Sequence, residues 1–384
     1  MRDLESNDGQ LSMDYSKYQF VEVGDFAMNH MDLLTGYVDL SPIKGVTSPD
    51  YRVFTIRDPL TIDDSFLLFL LQMGYKNKIF YAYGQGSSQL GRWRLPTEQF
   101  QDLCFPLPPL NEQTAISDFL DQEIGKIDEL IAEQERLIEL LNEKRQAVIS
   151  HAVTHGLDPD TPMKDSGIEW LGQIPEHWEV KRLKYISPEI TVGIVVEPSK
   201  YYAEEGIPAL RSLNVAPGAV KTENMVFLSV EAHDLHKKSM LRAGDLVAVR
   251  TGQPGTTAII PPDLDGCNCI DLIIIRQPSQ GCEKYLCWYL VSDFAVIQFS
   301  SGSGGAIQQH FNVSTAMDLI VPVPDREEQM LISSFIDIET VKLDNLTAEA
   351  QRAIVLLQER RSALISAAVT GQIDVRPLLD KQAA

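Results

Sequence analysis

Two stretches of this chain, 216 residues apart, match each other without a gap. Residues 106–158 read PLPPLNEQTAISDFLDQEIGKIDELIAEQERLIELLNEKRQAVISHAVTHGLD. Residues 322–374 read PVPDREEQMLISSFIDIETVKLDNLTAEAQRAIVLLQERRSALISAAVTGQID. Pro106 and Pro322, Gln113 and Gln329, Arg145 and Arg361, and Asp158 and Asp374 fall on the same places. A repeat of this length is one structural unit used twice, so the work it does needs two of something.

Upstream of each copy the echo is fainter. Val23-Gly24-Asp25-Phe26 answers Ala243-Gly244-Asp245-Leu246, and Tyr83-Gly84-Gln85-Gly86-Ser87 answers Ser301-Gly302-Ser303-Gly304-Gly305. The chain therefore reads as a tandem of two modules, each a glycine-punctuated α/β part followed by a long helix. The expected boundaries are 1–104, 105–160, 161–320 and 321–384. Residues 170–221 have no counterpart before Met1, so the first globular part is expected to be N-terminally shortened.

The long helices follow from heptad spacing. Leu120, Ile124, Ile127, Ile131, Ile138, Leu141, Val148 and Ala152 step by fours and threes, with Gln134 and Arg145 at the two intervening seam positions. The second copy repeats the phase with Ile336, Leu343, Ile354, Leu357, Leu364 and Ala368, while Thr340 and Thr347 dilute its first half. A helix of about 38 residues is roughly 57 Å long. Proline-rich starts (Pro106, Pro108, Pro109; Pro322, Pro324) and glycines near the ends (Gly156, Gly371) bound both. Two helices with matched phase are expected to pack on each other. In the globular parts 246–249 and 272–275 read as strands, 283–299 as one helix, and 66–73 as the helix of the first module.

Composition narrows the function. The 384 residues carry a net charge of -21, which argues against non-specific nucleic-acid binding, where affinity comes from neutralising phosphates. The deficit is spread as -5 over 1–104, -8 over 105–160, -5 over 161–320 and -3 over 321–384, so local basic patches remain open. No apolar run is long enough to span a bilayer, the N-terminus has no secretory pattern, and five irregularly spaced cysteines suit a reducing, cytoplasmic setting.

Catalytic motifs are missing. The chain has no Gly-x-x-x-x-Gly-Lys-Ser/Thr loop, no Gly-x-Gly-x-x-Gly and no Asn/Asp-Pro-Pro-aromatic tetrad. Cys267, Cys269, Cys282 and Cys287 read as core or helix cysteines before zinc ligands, and Glu176, Glu179 and Lys181 as a chance trio before a nuclease site. What remains is recognition chemistry. Arg211, Asn214, Lys237, Lys238, Arg242, Arg250, Thr251, Gln253, Ser303, Gln308 and Gln309 lie in Gly/Ser-rich or strand-end segments. Backbone N–H groups and Lys in such segments suit phosphates; Arg, Asn and Gln suit guanine and adenine edges. The bland alternative is a solvated loop with ordinary charged neighbours.

With these residues in view, the chain resembles the specificity subunit of type I restriction–modification systems. Residues 170–183 (WLGQIPEHWEVKRL) look like the start of a target-recognition domain. The Pro-x-Pro segments, Asn111-Glu112-Gln113 or Glu327-Glu328-Gln329, and the long helices look like that family's two conserved regions. The resemblance implies two α/β target-recognition domains, each reading half of a split sequence in double-stranded DNA, with the two helices packed as an antiparallel coiled coil that sets the gap. It implies a non-catalytic subunit that holds methyltransferase and restriction subunits. S-adenosylmethionine, ATP and magnesium then belong to those partners, and this chain binds no cofactor or metal of its own. The other readings are a coiled-coil assembly protein without DNA binding, a shortened subunit that reads one half-site, and an independent nuclease or methyltransferase.

Overall fold

A computed structural model of the chain describes residues 18–87, 92–278, 281–301 and 311–376. The two long helices run over Leu110–His155, 46 residues, and Arg326–Val369, 44 residues. The chain divides into two compact units, 1–137 with 349–384, and 138–348. Each long helix thus gives one half to each unit.

In the first unit the strand Phe26–Asn29 lies antiparallel between Val38–Leu40 and Tyr51–Phe54. The helix Asp64–Lys76 is apolar nearly all round because it is covered on two sides. Leu71 and Tyr75 meet Phe26, Met28, Val38 and Leu95 on the sheet side. Phe66, Phe69, Leu70 and Met73 meet Ile116, Leu120, Ile124, Ile365 and Val369 on the long-helix side. Gly74 is required by packing, since a Cβ there would fall 2.3 Å from the Phe80 ring.

The second unit holds a four-stranded antiparallel sheet in the order Ile190–Val192, Leu272–Ile275, Leu246–Val249, Thr257–Ile259. Its two central strands are buried at every position because both faces are covered. Leu246, Ala248, Ile273 and Ile275 pack with the helix Glu283–Leu290 and the long-helix ends. Val247, Val249, Leu272 and Ile274 point the other way, onto Leu241, Ile260 and Cys269. A second, mixed sheet joins Tyr202–Ala203, Val226–Leu228, Ile207–Leu210 and Asn268–Cys269. The 170–183 segment pairs Glu179–Arg182 antiparallel with Ile320–Val323, just ahead of the second long helix. It also buries Trp178 completely, with Nε1 donating to Glu328 at 3.0 Å.

The helix expected over 283–299 is two helices, Glu283–Leu290 and Asp293–Ser301. The break has a tertiary cause. Gln146 donates to the Val291 carbonyl at 3.0 Å, and the Ser150 hydroxyl accepts the Asp293 N–H at 3.2 Å, so the long helix captures groups that an unbroken helix would pair.

The long helices are antiparallel within each unit, as expected. In the first, Ile116 and Leu120 near the start of one share a core with Ile365 and Val369 near the end of the other. In the second, Ile149 and Val153 share a core with Ile332 and Ile336. Buried Thr340 fits the seam by bonding back to the Ile336 carbonyl at 2.7 Å, and Thr347 likewise to Leu343 at 3.0 Å.

Candidate nucleic-acid interface

The two units share one frame, residue for residue. Gly24 and Gly244 both take a left-handed backbone (φ 89° and 86°), which a Cβ disfavours. The aspartate that follows caps each turn: Asp25 accepts the Glu22 N–H at 2.8 Å and Asp245 the Arg242 N–H at 2.9 Å. Gly24 then donates to Ser41, as Gly244 does to Ile260. Each central strand next ends in a residue whose carbonyl accepts from beyond the glycine-rich segment, His30 from the Leu95 N–H at 2.8 Å and Arg250 from the Phe311 N–H at 3.0 Å. Asp50 and Asp271 stand at the same point ahead of the neighbouring strand.

The repeated glutamines attach each frame to its long helix. Gln113 accepts the Asp63 N–H at 3.0 Å and donates to the Pro108 carbonyl at 2.8 Å. Gln329 accepts the Cys282 N–H at 2.8 Å and donates to the Pro324 carbonyl at 2.8 Å. Asp63 and Cys282 are the N-caps of the equivalent domain helices. The repeated arginines close the helix pair: Arg361 meets Asp128 at 3.2 Å, and Arg145 meets Asp344 at 3.0 Å.

Among the sequence candidates, Arg250 occupies the strand-end position of the second unit. Its Nη1 lies 2.6 Å from Asp271 and its Nε 3.3 Å from the Phe311 carbonyl. Thr251 and exposed Gln253 continue into the turn closed by Gly255. Ser303, Gln308 and Gln309 lie outside the described residues, on the segment that joins Ser301 to Phe311. Lys237, Lys238 and Arg242 present exposed side chains, Lys237 with only a loose ion pair to Asp234 at 3.5 Å. Asn214 is different. It is wholly buried and holds the Arg211 N–H and the Lys221 and Glu223 carbonyls, which removes it from any surface that a base edge reaches. Arg211 donates to the Asn224 carbonyl at 2.8 Å and closes the same loop.

Sequence reasoning missed Arg276, which anchors the basic turn by donating to Met240 and Lys238 carbonyls at 2.9 and 3.1 Å and to Asp245 at 2.6 Å. It also missed His30, Arg52 and Arg94 of the first unit. The register between Gly24-Asp25 and Gly244-Asp245, carried six residues on, was the available signal for His30.

The zinc reading has no geometry behind it. Cys267 and Cys269 lie under one face of the main sheet and Cys287 under the other, and burial pushes the Cys267 and Cys287 thiols up to about 12. Among the described residues no group of three or more His, Cys, Asp or Glu is placed to hold a metal ion. Glu179 and Lys181 form an exposed ion pair with each other on one strand. Among the described residues no helix is long and apolar enough to cross a membrane.

Fold and site define a tandem α/β protein whose two sheet-and-helix units share a pair of antiparallel helices. Residues 13–140 match the family model described as the type I restriction modification DNA specificity domain. It is 25% identical over 325 residues to the type I restriction enzyme MjaVIII specificity subunit of Methanocaldococcus jannaschii, covering 83% of this chain and 72% of that protein. It is 25% identical to the EcoBI specificity subunit of Escherichia coli, covering 78% of this chain and 66% of that one. A chain from a structure of a type I R-M system, solved for its complex assembly and conformational transition, superposes with a TM-score of 0.72 at 15% identity, over 93% of this chain and 84% of that one. The HsdS subunit from Thermoanaerobacter tengcongensis superposes at 0.51 with 16% identity, over 94% and 84%. The resemblance to type I specificity subunits holds in sequence and in fold.

Proposed function

We propose that this chain is the DNA-recognition subunit of a type I restriction–modification complex, each unit reading one half of a bipartite target. The observation that carries the reading is the duplicated frame, which ends in a cationic or titratable side chain at the same strand-end place in both units. The comparisons support it, since the matched relatives are named specificity subunits. On this reading the subunit is non-catalytic. Methyl transfer and cleavage, with S-adenosylmethionine, ATP and magnesium, belong to methyltransferase and restriction partners held along the long helices. Those partners also supply positive charge that a chain of net -21 lacks.

Co-expression with a methyltransferase subunit, purification of the complex and footprinting on a random-sequence DNA library test the reading. Two protected blocks separated by an unread gap are expected. A complex that protects no sequence returns the chain to the class of coiled-coil assembly proteins, and protection of a single block makes it a one-half-site reader.

A further inference from the structure

The strand-end place filled by Arg250 in the second unit is filled by His30 in the first, and the surroundings differ in kind. Arg250 is neutralised by the Asp271 carboxylate at 2.6 Å. At the equivalent point Asp50 offers His30 its backbone carbonyl, 3.2 Å from the His30 N–H. The charges of two arginines, Arg52 and Arg94, act on the imidazole. Arg52, on the neighbouring strand, lies 4.5 Å over the Phe100 ring, and its Nη2 donates to the Leu95 carbonyl at 3.3 Å and the Thr97 hydroxyl at 3.2 Å. Arg94 is exposed on the strand Arg92–Arg94, one residue before the Leu95 that bonds His30.

Two polar atoms in this cluster are buried with no hydrogen-bond partner among the described residues, His30 Nδ1 and Arg52 Nη1. Orphaned buried polar atoms are costly and rare, and two on neighbouring residues leave the cluster short of acceptors behind its exposed edge. An imidazole and two guanidiniums together call for an anionic oxygen acceptor. The turn after the strand adds Asp32, whose carboxylate is already engaged with Thr35 and Leu34. The helix Asp64–Lys76 adds Tyr75, whose hydroxyl donates to the Asn29 carbonyl. Asp32 keeps its negative charge there, and Asp50 is the carboxylate that acts on His30.

Building on the DNA-recognition reading, we propose that His30, Arg52 and Arg94 grip a backbone phosphate of DNA in the first unit, and that His30 takes up a proton as the duplex binds. Burial holds the His30 imidazole below its ordinary value, Arg52 and Arg94 act in the same sense, and Asp50 opposes them. The free site is therefore neutral at His30 near pH 7. A phosphate oxygen against it favours the charged form, so affinity rises as pH falls. The second unit, with arginine in that place, has no such response.

The test is a histidine-ring NMR titration of the full chain with and without a random-sequence duplex, alongside duplex affinity by fluorescence anisotropy from about pH 8 to about pH 5.5, the titration range around the ordinary histidine value. The His30 resonance, assigned by its loss in His30→Gln, is expected to titrate higher with DNA bound. Affinity should gain about tenfold for each unit of that rise. His30→Gln should flatten the gain, and exposed Arg94→Gln should weaken binding at every pH and reduce the salt slope. An unmoved His30 titration in the bound state overturns the proposal, as does a pH gain that survives His30→Gln. If inorganic phosphate alone raises the titration fully and DNA adds nothing, the site is an anion site unrelated to DNA, and the proposal fails. A parent chain that binds no duplex at any pH even in complex with its methyltransferase subunit fails earlier, at the recognition reading itself.

Discussion

Asp25 and Asp245 occupy the same turn and do different amounts of work. Asp25 caps the Glu22 N–H and is partly exposed. Asp245 is buried and holds three partners, the Arg276 guanidinium at 2.6 Å and the Arg242 and Gln277 N–H groups at 2.9 and 3.1 Å. Asp245→Ala strands the Arg276 charge and is expected to cost about 3–5 kcal/mol, against about 1 kcal/mol for Asp25→Ala. Urea unfolding of the two variants side by side measures the difference. Two histidines give the DNA-free chain a pH dependence of definite sign. Burial, then Arg52, keeps His30 below its ordinary value; burial, then the stacked His151, does so for His155. A histidine whose folded value is lowered favours the neutral folded state, so this stability is full above the unfolded value of about 6.5 and declines as pH falls through it. Melting temperature should drop between about pH 7.5 and pH 5.5, in the window set by that value, and drop less in His30→Gln. At this scale the matched Gly-Asp pairs were readable as letters, but Arg276 was not. Its partners at 238, 240 and 245 meet it only across the sheet.

The repeated residues of the long helices turn out to be fasteners. Gln113 and Gln329 are buried and hydrogen-bonded, so Gln329→Leu leaves the Cys282 N–H and the Pro324 carbonyl unmet, at an expected cost of about 1–3 kcal/mol. Arg145–Asp344 and Arg361–Asp128 each carry a well-exposed aspartate, so Asp344→Asn or Asp128→Asn should cost under about 1 kcal/mol in the same urea assay. If the glutamine and aspartate variants cost the same, the assignment of fastening to the glutamines is wrong. A length change tests the helices as a gap-setter. Removing 133–139 together with its antiparallel counterpart 350–356 keeps the heptad phase and shortens each helix by about 10 Å. That is roughly three base pairs, so the footprint gap should shrink by that amount or binding should fail. An unchanged gap with full binding counts against the helices as the spacer. Helix positions and phase were legible because a 3.5-residue repeat needs only local sequence. The split of 283–299 into two helices was not, because its cause is Gln146 and Ser150, well over a hundred residues upstream.

For the molecule as a whole, the two units differ in the sheet that each long-helix pair supports. The first has three strands around Phe26–Asn29, and the second has four around Leu246–Val249 and Leu272–Ile275 with both faces covered. Amides of the 26–54 sheet should therefore exchange faster than those of the 246–275 sheet in native-state hydrogen exchange, and equal protection would show that the smaller sheet is as well supported. By itself the sequence determined that one unit occurs twice, that two long helices carry a matched seam, and that the chain resembles DNA-specificity subunits. These are properties of spacing, and spacing is written along the chain. Only the tertiary structure decided that the faint upstream echo is a shared frame, because its equivalence lies in hydrogen bonds such as Leu95 to His30 and Phe311 to Arg250. It also turned Asn214 from a candidate reader into a buried loop clasp and brought His30, Arg52 and Arg94 into one cluster. Burial and partnership between residues far apart in sequence are set by how sheets and helices close on one another, and no local pattern encodes them.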